Sequence, residues 1–500
     1  MIIKNKKSFI IFTSVLAVAL MLLNLTSRDI FTRIDLTDNK MYSLSASSKS
    51  IVSKLDDRLT IKIYFSENLP NELGNTRRFL QDILEEYRAE SDEINFYFHN
   101  PQSDDELEEQ AQKDGIQPVQ MQAIENDAMV VKKVYLGMVL LYEDKKETLP
   151  VIQTTTGLEY LISTKIKSLI NTDKKTIAFL NLNPEKELKT ETLSSQLNEH
   201  YNFRKISITD PVPENVDVIL VSAASDSVDP LVLENLEKFM DSGKKLFFTQ
   251  SGVETDIQTQ QANPIESNIF GFFKGYNLDL KKNLILDKKS GSVQVQERRG
   301  IFMMNRAMEY PFFPMVDSFN SKEVIVSDLE QVLPFFPSQI VIDTTKNDKI
   351  LEVSKLFTSS NNSGLMEGNF ILSPDPQQNP FLNILGQPGK TISAISRLTN
   401  GGELLLVSDS RFLSDDGGMS VEGNLIFLMN SVDYLAGDKD LISLRSREIT
   451  NRPLDEIKDS TKKNWKYINM LLPSILIISF GFWRFRKEKF KAEMLKQIYD

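Results

Sequence analysis

The chain has 500 residues, a net charge of −11, no cysteine and only two histidines, His99 and His200. The lack of cysteine excludes disulfides, thiol catalysis and thiolate metal sites, and two histidines are too few for a multi-histidine metal site. The excess of acidic residues argues against nucleic acid as a partner, because phosphate binding requires basic patches.

The chain begins with a lysine-rich tail followed by an uncharged segment, residues 9–25 (FIIFTSVLAVALMLLNL). At roughly 1.5 Å per residue, this segment is at the short end of what crosses a hydrocarbon core of ~30 Å. Basic flanks stay cytoplasmic, so residues 1–29 are predicted to be a cytoplasmic tail and a transmembrane anchor. The alternative is a signal peptide cleaved near Ala17–Ala19, which would leave the apolar run LMLLNL at the new terminus.

Residues 30–152 are predicted to form a small α/β domain. The pattern indicates a helix capped by Ser43 or Ser45, strands at 60–66 and 94–100, helices at 75–90 and 103–115, and a hairpin within 128–152. The order β-α-β-α-β-β is that of a thioredoxin-like domain, with Pro118 where that fold has the proline opening its third strand. Without cysteine such a domain could only be a structural or recognition module. A generic α/β sandwich is the alternative.

Residues 153–445 are predicted to form a larger α/β domain. Near-continuous apolar strands alternate with helices, which is typical of a parallel sheet covered on both faces. The strands are expected at 175–183, 203–208, 216–223, 244–250 and 401–409, and the helices at 157–170, 190–202, 230–243 and 424–437. Polar stretches at 251–268, 286–300 and 357–369 are predicted to be long loops or insertions within 251–400.

The C-terminal region is predicted to contain a linker (446–466), a transmembrane helix (467–483, YINMLLPSILIISFGFW) and a basic cytoplasmic tail (484–500). Trp465 and Trp483 bracket the apolar segment as membrane-interface anchors, since tryptophan favours the headgroup layer. A buried core helix is the alternative for this segment.

Both termini are therefore predicted to be cytoplasmic, with the body between the anchors outside the cytoplasm. Each basic tail carries +3, so the net charge of −11 leaves −17 for the rest of the chain. Only the tails suit anionic lipid or a cytoplasmic partner.

Two groups of residues are candidates for chemistry. Ser251 follows a buried strand and could pair with His200 as a nucleophile, although TQSGV is not the G-x-S-x-G run of a nucleophile elbow. Asp409, Asp415 and Asp416 follow another strand, where α/β folds bind ligands, and could hold Mg²⁺ or Ca²⁺. Capping and turn formation are the favoured roles for both groups, so no catalytic residue, metal site or cofactor is predicted.

One aromatic run is a candidate for contact with a partner. If the run EYPFFP lies in a loop, it would expose Tyr310, Phe312 and Phe313 to another protein. The alternative is that these rings fill the edge of the core.

Three stretches carry a resemblance to a known family: RIDLTDNKMYSLSASSKSIVSKL, GLEYLISTKIKSLI and the long run from GELLLVSDSRF to TNRPL. They resemble the auxiliary, substrate-binding-like subunit of gliding-motility-type (Gld-type) ABC transporters. The resemblance covers nearly the whole chain, and its most specific parts are residues 33–45 and 424–452. It implies an α/β domain related to the intraflagellar-transport type, similar to class I glutamine amidotransferases without their catalytic cysteine. It supplies no catalytic residues.

The sequence therefore favours a non-enzymatic, extracytoplasmic accessory subunit of an ABC-type exporter, held in the bacterial cytoplasmic membrane. It is expected to act by contact with a permease, and substrate binding by the body is left open as a second role. Its expected partners are a permease and, through it, a cytoplasmic ATPase, because no G-x-x-x-x-G-K-[ST] run occurs here. The alternatives are a membrane-anchored hydrolase that uses Ser251 or the 409–416 loop, and a pure scaffold.

Overall fold

The computed structural model describes residues 12–21, 43–447 and 459–499, apart from residues 68, 70, 126–127, 156, 172–173, 184–187, 208–211, 258, 300–301, 328, 376 and 439. By its internal contacts the chain divides into Met1–Ile449 and Thr450–Asp500, which are described separately below. Of the first predicted anchor, the structure describes only the helix α1 (Phe12–Met21). The rest of residues 1–29 lies outside the described residues.

A four-stranded sheet forms the N-terminal part of the body. Its neighbourhood contains α2 (Ala46–Val52), β1 (Leu59–Phe65), α3 (Asn71–Glu90), β2 (Ile94–His99), α4 (Asp105–Lys113), β3 (Val119–Glu125), β4 (Ala128–Val134), β5 (Leu136–Tyr142), β6 (Lys145–Leu149) and α5 (Leu158–Ile170). The strand order is β2-β1-β5-β6, with β2 parallel to β1 and the other neighbours antiparallel. Strands β3 and β4 form a separate hairpin.

Most of the local predictions for this region are confirmed, with one correction. Ser45 caps α2 by accepting a hydrogen bond from the backbone N–H of Ser48. The stretch after Pro118 is a strand of the separate hairpin, whereas the third strand of the sheet begins at Leu136. Pro118 therefore precedes the third strand along the chain, as predicted, but not the third strand of the sheet, because the β3–β4 hairpin is inserted between α4 and β5.

The larger sheet has eight strands in the order β17-β19-β21-β22-β10-β9-β7-β8. The elements of this region are β7 (Thr176–Leu180), α6 (Glu191–His200), β8 (Asn202–Ile206), β9 (Val218–Val221), α7 (Pro230–Asp241), β10 (Lys245–Thr249), β11 (Val253–Asp256), β12 (Gln261–Pro264), α8 (Ile269–Gly275), β13 (Leu278–Leu280), β14 (Asn283–Asp287), β15 (Ser290–Arg299), β16 (Phe302–Pro314), β17 (Ser318–Phe319), β18 (Ile340–Ile342), β19 (Ile350–Thr358), β20 (Ser363–Glu367), β21 (Thr391–Leu398), β22 (Glu403–Val407), α9 (Glu422–Ala436) and α10 (Asp440–Arg447). Strands β8, β7, β9, β10 and β22 are parallel, and β21, β19 and β17 extend the sheet in antiparallel fashion.

Apolar layers cover both faces of the parallel strands. Ile177 and Phe179 of β7 belong to one core cluster, whereas Ala178 and Leu180 belong to another on the opposite face. Alternate residues of a strand point to opposite faces, so a continuously apolar strand fits only a sheet buried on both sides. The predicted α/β class is therefore confirmed.

The region 251–400 differs most from the predictions. Residues expected to form loops instead contain the strands β11, β15 and β20. The polar run of β15 pairs with β16 in a long antiparallel ribbon, where backbone hydrogen bonds do not require apolar side chains. Polarity alone therefore misidentified these strands as loops.

The last helix of the body, α10, contacts both cores. Leu441 and Leu444 belong to the core of the four-stranded sheet, and Ile442 belongs to a core of the eight-stranded sheet. The sequence pattern predicts no helix at residues 438–445 and a linker from residue 446 onward. Burial of these three side chains stabilises the helix despite its composition.

A buried ion pair joins α10 to α9. Arg445 Nη1 lies 2.9 Å from Asp433 Oδ2, and the two side chains are 10% and 0% exposed. The Tyr201 hydroxyl donates to Asp433 Oδ1, while Arg445 donates to Asn430 Oδ1 at 2.8 Å and to the Tyr160 hydroxyl at 2.7 Å. The pair thus links α10 to α5, the end of α6 and α9.

The C-terminal unit is described as one helix, α11 (Asp459–Tyr499), with Pro473 inside it. The stretch Thr461–Lys491 of this helix has a mean hydropathy of 1.5 in its most apolar part. By length and composition, this stretch is sufficient to cross a membrane. Trp465 and Trp483 are 59% and 58% exposed on this helix. The side chains of this stretch are exposed, which disagrees with a buried core helix.

We expect Arg445→Leu to lower the free energy of unfolding by about 3–5 kcal/mol, because Asp433 would remain buried without its partner charge. The double variant Arg445→Leu, Asp433→Leu should recover part of this loss. Urea unfolding followed by circular dichroism measures both. Lys238→Leu, which breaks an exposed pair with Glu234, is the control and should cost less than about 1 kcal/mol. Equal losses for the exposed and buried pairs would show that burial does not set the strength of the Arg445 pair.

Candidate functional site

The carboxyl ends of the parallel strands surround a cavity of about 270 Å³. The chain passes from β7 to β8 on one side of β7 and then to β9 on the other side. In open α/β sheets such a reversal leaves a crevice where ligands bind. The lining includes residues that follow four of these strands: Asn183 after β7, Ser225 after β9, Ser251 after β10, and Ser410 and Arg411 after β22.

Ser251 lies in this lining, but its hydroxyl is used by the backbone. Its Oγ has one proton, which the carbonyl oxygens of Ser408 (3.2 Å) and Phe336 (3.3 Å) share, and it accepts from the N–H of Ser410 (3.0 Å). The Ser251 N–H in turn donates to Ser410 Oγ at 2.8 Å. These reciprocal bonds hold the loop after β10 against the loop after β22.

His200 lies at the amino ends of the parallel strands, whereas Ser251 lies at their carboxyl ends. Helix α6 starts beyond the carboxyl end of β7 and returns to the amino end of β8, where His200 is its last residue. Five-residue strands span roughly 16 Å, so a Ser251–His200 pair is not formed. His200 Nε2 instead lies 3.3 Å from the Tyr160 hydroxyl. Burial lowers the pKa of His200, although the Glu199 carboxylate acts in the opposite direction.

The three aspartates of the loop after β22 have three separate roles. Asp409 is fully buried and accepts hydrogen bonds from the N–H groups of Phe335 (2.9 Å) and Arg411 (2.7 Å). Burial raises the pKa of Asp409 to about 7, although these two N–H donors act in the opposite direction. This carboxyl group therefore positions the loop.

Asp415 and Asp416 bind the start of α6. Asp415 accepts hydrogen bonds from the N–H groups of Glu191 (2.7 Å) and Thr192 (3.2 Å), which places its carboxylate at the helix N-terminus. Asp416 pairs with Lys189 at 3.0 Å in an exposed position. Among the residues that the structure describes, no group of three or more acidic or histidine side chains is arranged to hold a metal ion. Capping, the favoured prediction for this loop, is what the structure shows.

The aromatic run is part of the core. Tyr310, Phe312 and Phe313 are 4%, 0% and 6% exposed, and they pack together with Phe336. Their prediction as an exposed contact for a partner is corrected, because β16 turns these rings inward. The alternative, that the rings fill the edge of the core, is the arrangement observed.

Arg411 and Phe336, which form one wall of the cavity, were not among the residues predicted from the sequence. The Arg411 guanidinium carbon lies 5.7 Å from the centre of the Phe336 ring. Phe336 has a positive φ of 51°, which is a strained conformation for a bulky residue. Its N–H donates to the Phe312 carbonyl at 3.0 Å, and its carbonyl accepts from Ser251. An arginine shortly after an apolar strand was the available signal in the sequence.

Comparison with known proteins gives two family matches. A family described as ABC-type uncharacterized transport system matches residues 174–431, and one described as Domain of unknown function (DUF7088) matches residues 38–141. A Borreliella burgdorferi protein named "Uncharacterized protein" is 20% identical over 484 residues, which cover 91% of this chain and 93% of that protein.

Solved structures give weaker likenesses. The mmIFT52 N-terminal domain is 13% identical with a TM-score of 0.35, and the match covers 52% of this chain and 97% of that one. A glutamine amidotransferase from Thermotoga maritima is 7% identical with a TM-score of 0.26, covering 56% of this chain and 100% of that one. The family match, which spans more than half of the chain, is therefore the informative comparison.

We expect Asp415→Ala to lower the free energy of unfolding by about 1 kcal/mol, because the first turn of α6 loses its carboxylate cap. Asp416→Ala removes the same charge from the same loop but only an exposed ion pair, so its effect should stay within about 0.5 kcal/mol. Urea unfolding of both variants measures the difference. Stabilisation of the unchanged protein by Ca²⁺ or Mg²⁺ that both variants lose would instead indicate a metal site.

Proposed function

The chain belongs to the family described as ABC-type uncharacterized transport system, and on this basis we propose that it is a non-enzymatic, membrane-anchored accessory subunit of an ABC-type transporter. The single observation that carries the proposal is the family match over residues 174–431. The C-terminal helix long enough to cross a membrane supports it, since a transporter subunit needs a place in the bilayer. The subtype proposed is the gliding-motility or ABC-2 exporter type.

The architecture proposed for the body has two modules. The strand order β2-β1-β5-β6, with two antiparallel neighbours after a parallel pair, supports a thioredoxin-like N-terminal module with the β3–β4 hairpin as an insertion. The order β8-β7-β9-β10-β22 supports a doubly wound domain of the glutamine-amidotransferase-like or intraflagellar-transport-like kind. Neither module would have redox or amidotransferase chemistry through a thiol, because the chain has no cysteine.

The proposed topology has two membrane passes, with both termini cytoplasmic and the body outside the cytoplasm. Arg484, Arg486, Lys487, Lys489 and Lys491 follow the second apolar segment, and three lysines precede the first. Because basic flanks stay cytoplasmic, lysines before the first segment and basic residues after the second favour two cytoplasmic termini. The body would then be periplasmic or extracellular, and the basic tails would face the cytoplasm.

The proposed partner is a permease, through which a separate ATPase would act. The sequence contains no G-x-x-x-x-G-K-[ST] run, so ATP hydrolysis would come from another chain. The geometry does not support the rival hypothesis of a hydrolase. The Ser251 hydroxyl is hydrogen-bonded to the backbone, and His200 lies at the other end of the parallel strands. Asp415 caps α6, and Asp416 pairs with Lys189. A pure scaffold would make no specific contact with a permease.

The topology can be tested by cysteine labelling, because the chain has no cysteine of its own. We expect single cysteines at Ser103 and Ser292, both exposed on the body, to react with a membrane-impermeant maleimide in intact spheroplasts. A cysteine at Lys489 should react only after lysis. The opposite pattern would place the body in the cytoplasm and contradict the proposal.

The accessory role can be tested at the second anchor. Asn469, Ser474, Ser479 and Gly481 lie within the apolar segment, and small or polar residues form helix–helix contacts in lipid. Replacing residues 467–483 with leucine should keep the protein in the membrane but weaken its co-purification with the permease in mild detergent. The matched control changes only the apolar residues of this segment to leucine and leaves those four unchanged.

Undiminished co-purification of the all-leucine variant would mean that the body alone makes the contact. Failure of the unchanged chain to co-purify with any permease would contradict the accessory role itself.

A further inference from the structure

Arg411 differs in its partners from two other partly buried arginines of the large domain. Arg397 donates to both carboxylate oxygens of Glu323, and Arg445 pairs with Asp433. Arg411 has no carboxylate within ion-pair distance among the described residues. The nearby Asp409 carboxylate accepts the backbone N–H of Arg411 and attracts its guanidinium without a direct ion pair. The guanidinium in the cavity is therefore left to pair directly with an anion that comes from outside the chain.

The Arg411 guanidinium is held in place by contacts that leave most of its donors available. Its Nη2 donates to the Thr255 carbonyl at 2.9 Å, and its central carbon lies 5.7 Å from the centre of the Phe336 ring. Guanidinium has five N–H donors in a planar fork that matches the two oxygens of a carboxylate. A fork that is already oriented loses little conformational freedom when it binds such a group.

The rest of the cavity combines apolar walls with few charges. Val253, Ile265, Phe335 and Phe336 contribute apolar surface to the lining. Ligand sites commonly have this composition, in which apolar walls surround a few polar groups that set orientation. The strained backbone of Phe336 presents one of these walls beside Arg411.

The charges around the cavity favour a monoanion over a dianion. Arg411 and Lys189 line it together with two acidic residues, Glu254 and Asp416. Lys189 is already paired with Asp416, so Arg411 is the cation of this lining that is left for a ligand. The Glu254 carboxylate would repel a second negative charge, which disfavours phosphate.

We propose that this cavity is a binding site for a small organic carboxylate, with Arg411 holding the carboxylate and the wall of Phe335 and Phe336 packing against an apolar group of the ligand. This inference goes beyond the proposed accessory role, because it concerns a ligand of the body itself. It holds whether or not the chain contacts a permease.

The probes are benzoate, its neutral isostere benzamide, and inorganic phosphate, titrated calorimetrically into the full chain in detergent at low ionic strength. Benzoate should bind, whereas benzamide and phosphate should bind at least about tenfold more weakly. Arg411→Gln should weaken benzoate binding by about 10- to 100-fold, as expected for loss of hydrogen bonds to a charged group. Arg204→Gln is the matched control. It removes a partly buried arginine on β8 and should leave benzoate binding unchanged.

Arg411→Lys keeps the charge but not the planar fork, and it should also weaken benzoate binding. It decides the question if Arg411→Gln fails to fold, which circular dichroism would reveal. Undiminished benzoate binding by folded Arg411 variants would overturn the proposal. So would a stronger response to phosphate, or no benzoate binding by the unchanged protein at millimolar concentration. None of these outcomes bears on co-purification with a permease, so the two proposals fail separately.

Discussion

The buried pair of Asp433 and Arg445 is the interaction on which the arrangement of the body depends. It lies where elements of both sheets meet, and its hydrogen bonds reach α5 through Tyr160 and the end of α6 through Tyr201. Removing two charges from water is costly, and only close partners on every side compensate for it. A different packing of α10 would leave both charges unpaired. The pair therefore specifies one position for the last helix of the body.

The two edges of the large sheet are used in different ways. At the amino ends of the strands, Tyr160 hydrogen-bonds to His200 and Arg445, and these three side chains line a second cavity of about 290 Å³. At the carboxyl edge, loops after β7, β9, β10 and β22 leave a cavity in which no carboxylate of the described residues pairs with Arg411. Serines and aspartates of these loops bind the backbone and shape the opening. Structural bonding thus accounts for Ser251 and Asp415, which leaves Arg411 for a ligand.

The spacing of apolar residues along the sequence correctly predicted the helices and strands in which that spacing is regular. Strand β9 reads VILV and is buried throughout, and α7 begins at Pro230, where the predicted helix begins. The pattern failed where pairing does not depend on apolar side chains, as in β15 with its run of polar residues. It also failed for α10, which is stabilised by burial against two cores. The position of Ser251 after a strand was predictable. Its separation from His200 follows from the predicted parallel sheet, because a helix between two parallel strands must end at the amino end of the second strand.

Helix α9 connects the cavity to the buried pair through one rigid element. At its first turn, Asn424 bonds to the N–H and carbonyl of Leu333 at 2.8 and 2.9 Å, two residues before Phe335. Asp433 lies about two and a half turns further along the same helix. Ten of the 15 residues of α9 are buried, so close packing opposes bending of the helix. Coupling between a ligand in the cavity and the buried pair would require an element with two stable arrangements. Helix α9 is instead buried along most of its length and is held at both Asn424 and Asp433. We therefore expect the distance and orientation between the cavity and the buried pair to stay constant.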